Sequence, residues 1–329
     1  MGELTPEPPR RVPDPARTSV DALREKIRST PRGWLRLGLF LLLTIGVFWG
    51  LFRFLELDYR LVLARLGQAD RAVLAGAAAV TCFFPVLSAF RWRRVLGALG
   101  YEVSFRSCFD MIMAAWPMGT ITPSKTGDFV KALYLRDRVP VPLVLGSVLA
   151  ERSLDVLILL LLAALGSALH AQWRYAILAG GAFLAGFGAI LALLRFRLPV
   201  PKKFESKVEP MLRALRLILQ SPALLGSVVL YTVLNWFASI AQLVLCYQAL
   251  GTPVPLLYAM GALPLAIFAG LLPVTLSGMG TRDSALIFLF LPYASHDVSL
   301  GVGLLYSLFG YWIPAVIGLP FLKRALPRS

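Results

Sequence analysis

Long apolar runs separated by short polar segments dominate the chain from Trp34 onward. A bilayer core of about 30 Å requires roughly 20 apolar residues for each helical crossing, and six of the runs approach or exceed that length. They cover 34–54, 72–90, 142–169, 173–194, 222–249 and 299–322. The pattern predicts an all-α polytopic membrane protein with about six crossing helices.

Two further apolar stretches, 105–136 and 256–291, are each interrupted near the centre by a polar segment. The halves on either side are too short to cross a bilayer. Non-helical backbone at membrane depth is tolerated only where protein or a water-filled cavity surrounds it. We therefore expect two re-entrant helical hairpins, with their tips at 119–128 and 273–283.

The distribution of basic residues tests this topology, because cytoplasmic segments of membrane proteins carry an excess of Lys and Arg. With both hairpins re-entrant and the N-terminus inside, 25 basic residues fall in cytoplasmic segments and 5 fall outside. Lys125, Arg152 and Arg282 then lie at membrane depth. The bias predicts that both termini are cytoplasmic and that the hairpins enter from opposite sides. We expect a multi-pass protein of the cell's inner (plasma) membrane.

Each hairpin is followed by a long crossing helix, and the two units have opposite orientations in this topology. That order favours an inverted-topology repeat, which is the usual architecture of secondary transporters, with the site near the midplane. Two unrelated broken helices are the alternative. In either case the sequence indicates a single transmembrane domain over 34–329.

The segments outside the apolar runs have their own characters. Residues 1–33 are rich in Pro, Arg and acidic residues, which predicts a disordered basic cytoplasmic tail. Segment 203–220 combines apolar residues at helical spacing with Lys and Arg, which indicates an interfacial basic amphipathic helix on the anionic cytoplasmic leaflet. An interfacial linker without a transport role is the alternative there. Small residues in 72–80 and 179–189 allow close helix packing, either within the monomer or between subunits, so a homodimer stays open.

Composition then narrows the function. The chain is 57% hydrophobic and 16% charged, whereas soluble domains are about a quarter charged, so soluble enzymes are excluded. The net charge of +15 is concentrated at the ends of apolar runs, which indicates membrane orientation and no nucleic-acid partner. Cysteines and histidines form no ligand or nucleophile motif, so we predict no catalytic residue, no metal and no cofactor.

Three ionisable residues, Glu151, Arg152 and Asp155, lie near the middle of the run 142–169. Each costs about 2.5 to 3.5 kcal/mol at a membrane centre on insertion scales unless it is paired or hydrated. Helical spacing brings them together on neighbouring positions. They are candidate substrate-binding residues. A salt-bridged strut that fastens this helix to the first hairpin is the alternative.

Both hairpin tips offer groups that bind anions. Hydroxyls and cations of the first tip surround the predicted N-terminus of a half-helix, where free amides favour a phosphate. Its candidate substrate-binding residues are Thr122, Ser124, Lys125, Thr126, Asp128 and Lys131. Those of the second tip, where an Arg fork and close backbone approach are available, are Ser277, Gly278, Gly280, Arg282 and Asp283. A self-satisfied hairpin is the alternative for each tip. Asn235 and Gln242, seven residues apart on one face of the run 222–249, either line the same cavity or form hydrogen bonds between helices.

Three segments carry a resemblance to a known family: TPSKTGDFVKA at 122–132, ERSLD at 151–155 and PVTLSGMGTRD at 273–283. They resemble the signatures of the flippase-like integral membrane family typified by the transmembrane region of bacterial lysylphosphatidylglycerol synthases. Lys131 stands where that family usually has Arg, and Asp283 where Glu is common. The soluble aminoacyl-transferase domain of those synthases has no counterpart here. The resemblance therefore implies lipid translocation or a related membrane role.

The leading hypothesis is a flippase for a phosphate-bearing lipid, either a phospholipid, aminoacylated or not, or a polyprenyl-phosphate-linked lipid. The sequence contains no ATP-binding P-loop, so an ion gradient, the lipid gradient or a partner would supply energy. An integral membrane enzyme acting on a lipid phosphate and a non-catalytic scaffold for a lipid synthase remain the alternatives. The expected partners are a lipid substrate and the anionic cytoplasmic leaflet, with a second copy or a lipid synthase left open.

Overall fold

The computed structural model describes residues 58–121, 129–135, 138–196, 202–272, 275 and 278–325, together with eight separate positions between 38 and 53. Within these segments the chain is helical apart from short turns and contains no strand. The predicted all-α membrane fold is therefore confirmed. The tail 1–33 and most of the first predicted crossing, 34–54, lie outside the described residues.

The described helices are numbered here in chain order. They are α1 (Tyr59–Gly67), α2 (Arg71–Val80), α3 (Phe83–Ala98), α4 (Phe105–Ile121), α5 (Phe129–Leu135), α6 (Val141–Leu169), α7 (Trp173–Arg195), α8 (Lys202–Gln220), α9 (Pro222–Ala249), α10 (Leu256–Leu271), α11 (Thr281–Leu289), α12 (His296–Ser307) and α13 (Ile313–Ala325). A π-helical segment at Leu308–Trp312 makes α12 and α13 one continuous rod.

Four helical stretches in the described part of the chain are long and apolar enough to cross a membrane. They are Arg71–Ala98, Trp173–Leu193, Pro222–Ala249 and His296–Leu322. They correspond to four of the crossings expected from the sequence. Helix α6 matches a fifth, since its 29 residues cover the expected run and carry the three ionisable residues near its middle.

The expected crossing 72–90 differs from the structure at its C-terminal end. The helical rod turns briefly at Thr81 and then continues to Ala98. Hydropathy marks a boundary at Arg91, where the sequence becomes basic. Instead, Arg91 and Trp92 are buried, with 6% and 0% of their surfaces exposed, because other helices cover them.

Helices occupy both stretches expected to form hairpins. Helices α4 and α5 lie in the first, and residues 122–128 of its tip are outside the described residues. Helix α10 packs along α11 in the second. The turn of the second needs glycine, because Gly278 and Gly280 have φ angles of +75° and +94°. A Cβ on Gly278 would also lie 2.8 Å from Gly270 Cα. Re-entrant insertion of either hairpin stays a prediction.

The two hairpins exchange their packing partners. Helix α4 of the first packs on α13, which follows the second, and α10 of the second packs on α6, which follows the first. Both crossings are made at a glycine. A Cβ on Gly166 would lie 2.6 Å from Gly261 Cα, and one on Gly318 would lie 2.9 Å from Pro117 Cδ. This reciprocal arrangement supports an inverted repeat.

The amphipathic segment forms one helix, α8, that continues through Pro210. Part of its apolar face, including Ala214, Leu215 and Ile218, is buried. Helix α8 packs against α6, where a Cβ on Gly146 would overlap the backbone of Met211. The apolar residues are therefore used at least partly for protein contact, and the location of α8 on the cytoplasmic leaflet stays a prediction.

Candidate functional site

A cavity of about 200 Å³ lies between α3, the first hairpin, α6, α9 and the C-terminal rod. Its charged and polar lining consists of Ser88, Arg91, Thr120, Lys131, Arg152, Asp155, Asn235, Ser239 and Gln242. Trp116, Trp236, Tyr306 and Tyr311 contribute aromatic rings. Residues far apart in sequence thus form one polar chamber inside a largely apolar molecule.

Arg91 joins the two carboxylates of α6. Its Nε lies 3.0 Å from Glu151 Oε1, and its Nη1 donates to Asp155 Oδ1 at 2.7 Å. The same Nη1 donates to Thr232 Oγ1 on α9 at 2.9 Å. The charge count from the sequence placed Arg91 in a cytoplasmic segment. In the structure α3 continues past Arg91 and its side chain is buried, while its side of the membrane stays a prediction. One sequence feature could have pointed to such a residue: Glu151 and Asp155, inside an apolar run, need a cation to neutralise them.

Lys131 connects the first hairpin to α6. Its Nζ lies 3.7 Å from Glu151 Oε2 and 4.7 Å from the centre of the Trp92 ring. Only 3% of Lys131, a candidate substrate-binding residue of the first tip, is exposed, and its role in substrate binding stays a prediction. The ion pair between Lys131 and Glu151 fits the alternative considered from the sequence, a salt bridge that fastens this helix to the first hairpin. Lys131 also lines the cavity, so the same residue is available to a substrate.

Arg152 is the accessible cation of the cluster. Its Nη1 lies 3.0 Å from Asp155 Oδ2, yet 47% of its side chain is exposed, compared with 9% for Asp155. A half-exposed ion pair can exchange one partner for a ligand at lower cost than a buried pair. Arg152 is therefore the group best placed to meet an incoming anion.

Ion pairs form one charged wall of the cavity. Among the described residues this wall contains three cations, Arg91, Lys131 and Arg152, and two carboxylates, Glu151 and Asp155. Removed from bulk water, a cation interacts with an anion more strongly than it would at a protein surface. Arg152, the most exposed of the three cations, can thus stabilise an anion such as a phosphodiester.

The Arg282 side chain lies beside two of the aromatic residues that line the cavity. Its Cζ is 5.0 Å from the centre of the Tyr306 ring and 5.3 Å from that of Tyr311. Its Nη2 donates to Asp283 Oδ1 at 2.7 Å and to Ser307 Oγ at 2.5 Å. Arg282 is 2% exposed and is not among the cavity-lining residues. It supports two rings that line the cavity.

The second hairpin turn is closed by its own contacts. Asp283 Oδ2 accepts a hydrogen bond from the Gly280 amide at 3.0 Å, which ties the acid to the first turn of α11. The close backbone approach of Gly278 is toward Gly270 in the other arm. These contacts fit the self-satisfied hairpin considered above. Substrate binding by Gly278, Gly280, Arg282 and Asp283 stays a prediction, and Ser277 lies outside the described residues.

Polar residues of α9 serve both roles considered for them. Gln242 lines the cavity, while its Nε2 donates to Ala77 O and Thr81 Oγ1, each at 2.9 Å. Asn235 also lines the cavity. Ser239 shares a 2.5 Å hydrogen bond with the Tyr306 hydroxyl, which connects α9 to an aromatic residue that lines the cavity.

The remaining candidates of the first tip, Thr122, Ser124, Lys125, Thr126 and Asp128, lie outside the described residues. The described residues on either side of the tip do reach the site. Thr120, near the end of α4, and Lys131, at the start of α5, both line the cavity. Both arms of the first hairpin therefore contribute to it.

A family model described as the lysylphosphatidylglycerol synthase TM region matches residues 33–318. A UPF0104 membrane protein from Methanothermobacter thermautotrophicus is 24% identical, with 77% of this chain and 85% of the relative covered. Another UPF0104 membrane protein, from Methanocaldococcus jannaschii, is also 24% identical, with 74% and 82% covered. The glycosyltransferase AglD of Haloferax volcanii is 30% identical over 105 residues, which cover 31% of this chain and 17% of that protein.

Proposed function

The chain belongs to the family of the lysylphosphatidylglycerol synthase transmembrane region, and from this premise we propose that it is a lipid flippase. Its substrate is a lipid with a phosphate in the headgroup. The activity moves that lipid between leaflets and leaves its covalent structure unchanged. The name of the family supports a lipid-related role, and the cavity supports binding of the headgroup.

One observation carries the proposal: a half-exposed cation, Arg152, lines a polar cavity in the middle part of a long apolar helix. Arg152 is eleven residues beyond Val141, the start of α6, so the rise of 1.5 Å per residue places it about 16 Å along the helix. The barrier to lipid exchange is transfer of a charged headgroup into hydrocarbon. A cation already held at that depth lowers the barrier, because it replaces part of the lost hydration.

The ion pairs provide a route for exchange of partners. When a phosphate enters, Arg152 turns from Asp155 to the phosphate, while Asp155 keeps its 2.7 Å contact with Arg91. Neither carboxylate is then left buried without a counter-ion, which would be strongly unfavourable. The acyl chains stay in the bilayer while the headgroup crosses through the cavity.

Leaflet exchange in proteoliposomes tests the proposal. Purified wild type and Arg152→Ala are reconstituted with a fluorescent phospholipid, and dithionite quenching reports the label that reaches the outer leaflet. We expect exchange by the wild type and a loss of at least about 10-fold in Arg152→Ala, since a charge-assisted contact contributes about 1.5 to 3 kcal/mol. Mass spectrometry of the recovered lipid is expected to show no change in mass.

Arg174→Ala is the matched control. Arg174 is an exposed arginine at the start of α7 and does not line the cavity, so its removal takes away the same charge elsewhere. Equal loss in both variants, or no exchange by the wild type, would refute the flippase. A shift in lipid mass would identify an enzyme instead.

A further inference from the structure

A second cavity, called the groove below, lies between the C-terminal end of α3 and the N-terminal end of α9. It has a volume of about 580 Å³, and no described residue lines both the groove and the cavity that contains Arg152. Its basic, hydroxyl, aromatic and glycine residues are Phe90, Arg93, Arg94 and Gly97 of α3 and Ser227 and Tyr231 of α9. Those of α3 are spaced by three, four and seven residues, so they share one face of the helix.

The two arginines of the groove are available to a ligand. Arg93 and Arg94 are exposed, and neither guanidinium forms an ion pair or a hydrogen bond within the described part of the chain. Glu102 lines an adjoining cavity together with Arg93, yet no ion pair joins these two described residues. Arg91 differs, because Glu151 and Asp155 pair with it on another face of α3. The groove thus presents two adjacent guanidinium groups to an anion.

The groove lies at the ends of two helical stretches that are long enough to cross a membrane. One stretch finishes at Ala98, and the other begins at Pro222. Arg94 is four residues from the first end and Ser227 five from the second, so a rise of 1.5 Å per residue places both within about 8 Å of those ends. The headgroup layer adds about 5 to 8 Å on each side of the hydrocarbon core. The two arginines are therefore at the level of lipid phosphates.

An aromatic surface adjoins the arginines on the side toward the middle of the crossing. Phe90 is one helical turn farther from the end of α3 than Arg94, and its ring centre lies 4.5 Å from that of Phe105 and 6.2 Å from that of Tyr231. Phe90 is 39% exposed, so part of this surface faces outward. Cations beside aromatic rings match a lipid, in which the phosphate is joined to glycerol and acyl chains.

We propose that the groove binds one anionic phospholipid of the surrounding leaflet. Arg93 and Arg94 bind its phosphate, and the glycerol and first acyl carbons lie against Phe90 and Tyr231. Two cations at one phosphate favour a lipid with net negative charge, since a headgroup ammonium would lie beside them. This lipid occupies the groove and is not the lipid that passes through the cavity. The inference goes beyond the flippase and does not depend on it, because different residues line the two sites.

Lipid binding to the purified full chain tests the proposal. Native mass spectrometry in detergent counts the bound lipids during titration with phosphatidylglycerol or phosphatidylcholine. We expect phosphatidylglycerol to bind at least about 10-fold more tightly, as one unopposed charge-assisted contact would give. Glycerophosphoglycerol, the same headgroup without acyl chains, is expected to bind at least about 10-fold more weakly than phosphatidylglycerol, because it lacks the apolar contact with Phe90.

A double variant assigns the preference to the arginines. Arg93→Gln combined with Arg94→Gln is expected to weaken phosphatidylglycerol binding at least about 10-fold and to bring it close to phosphatidylcholine binding. Arg195→Gln combined with Arg213→Gln is the matched control, since both are exposed arginines outside the groove on the same predicted side of the membrane. The control is expected to change binding less than about 2-fold, because salt screens exposed charges at a distance.

Gly97→Trp tests the shape of the groove without a change of charge. A Cβ on Gly97 has nothing within 4 Å, so the larger side chain occupies open space in the groove. Phosphatidylglycerol binding is expected to weaken about 3- to 10-fold because the ring competes with the lipid. Gly181→Trp, at a glycine that also has nothing within 4 Å of a Cβ, is expected to bind as the wild type does.

Three results would overturn the proposal: equal binding of the two phospholipids, equal binding of glycerophosphoglycerol, or equal loss in the two double variants. Arg152→Ala separates the groove from the cavity. The binding lost in the Arg93 and Arg94 variant is expected to persist in Arg152→Ala, and its loss there would overturn a separate site. Thermal unfolding of each variant, expected to match the wild type, shows that a loss is not misfolding. Because leaflet exchange is not measured, failure of the flippase would leave these results unchanged.

Discussion

Arg91 is the residue on which the charged wall depends most. It contacts Glu151 and Asp155 of α6 and Thr232 of α9, so it holds two helices to a third. Arg91→Leu would leave two buried carboxylates with fewer counter-ions. We expect the free energy of unfolding to fall by about 3 to 5 kcal/mol, the cost of breaking a buried ion pair by removing one partner.

Unfolding by denaturant in detergent measures this effect. Arg94→Leu, which removes an exposed arginine three residues along the same helix, is the control and is expected to change stability by less than about 0.5 kcal/mol. In Arg91→Leu combined with Glu151→Gln, part of the lost stability is expected to return. An equal effect of Arg91→Leu and Arg94→Leu would contradict the buried role of Arg91.

The sequence predicts the site only in part at this scale. Glu151, Arg152 and Asp155 are predictable, because charges inside an apolar run of helical length must be paired or hydrated. Arg91 is not, because its partner Asp155 is 64 residues away and hydropathy cannot show which helices cover it. The environment of Arg282 is not predictable either. The sequence suggests that its guanidinium binds a ligand, whereas in the structure it donates to the neighbouring Asp283.

At the scale of helices, the crossings between hairpins and long helices depend on glycine. Gly166 lies where α6 meets α10, and even one methyl group there would meet the backbone of Gly261. Small residues allow membrane helices to approach closely, and packing then replaces the hydrophobic effect as the source of stability. The cavity wall contributed by α6 is positioned by this contact.

Gly166→Ala is therefore expected to destabilise the protein by about 1 to 3 kcal/mol, because overpacking forces the two backbones apart. Denaturant unfolding in detergent provides the measurement. Gly181→Ala is the control, since Gly181 is also within a helix but has nothing within 4 Å of the position of a Cβ. Equal stability of Gly166→Ala and the wild type would contradict the close crossing.

Length and periodicity predict helices well where the helix is uniform. The runs 142–169, 173–194 and 222–249 agree with α6, α7 and α9 to within a residue at each end. The run 72–90 fails at its end because tertiary burial of Arg91 extends the helix. Helix α1 (Tyr59–Gly67) was not expected, because its nine residues lack the length of a crossing and include two arginines, Arg60 and Arg65.

For the whole molecule, the positive-inside bias predicts that both termini face the cytoplasm. Even without the buried Arg91 and Lys131, the inside count of 25 basic residues keeps a large excess over the 5 outside. Reporter fusions at each end, such as a fluorescent protein that folds only in the cytoplasm, are expected to give signal at both. A signal at one end alone would mean an odd number of crossings and would overturn the re-entrant assignment of one hairpin.

The central claim is that a lipid headgroup passes through this cavity, and reversible blockage tests it most directly. Ser88 lines the cavity, and Cys82 is the exposed native cysteine among the described residues, so Ser88→Cys is placed in a Cys82→Ser background. A bulky methanethiosulfonate reagent is then attached, leaflet exchange is measured, and a reductant removes the group. The account predicts exchange before modification, its loss after modification and its recovery on reduction, while the Cys82→Ser background is unaffected throughout. Unchanged exchange by the fully modified Ser88→Cys variant would contradict passage through the cavity.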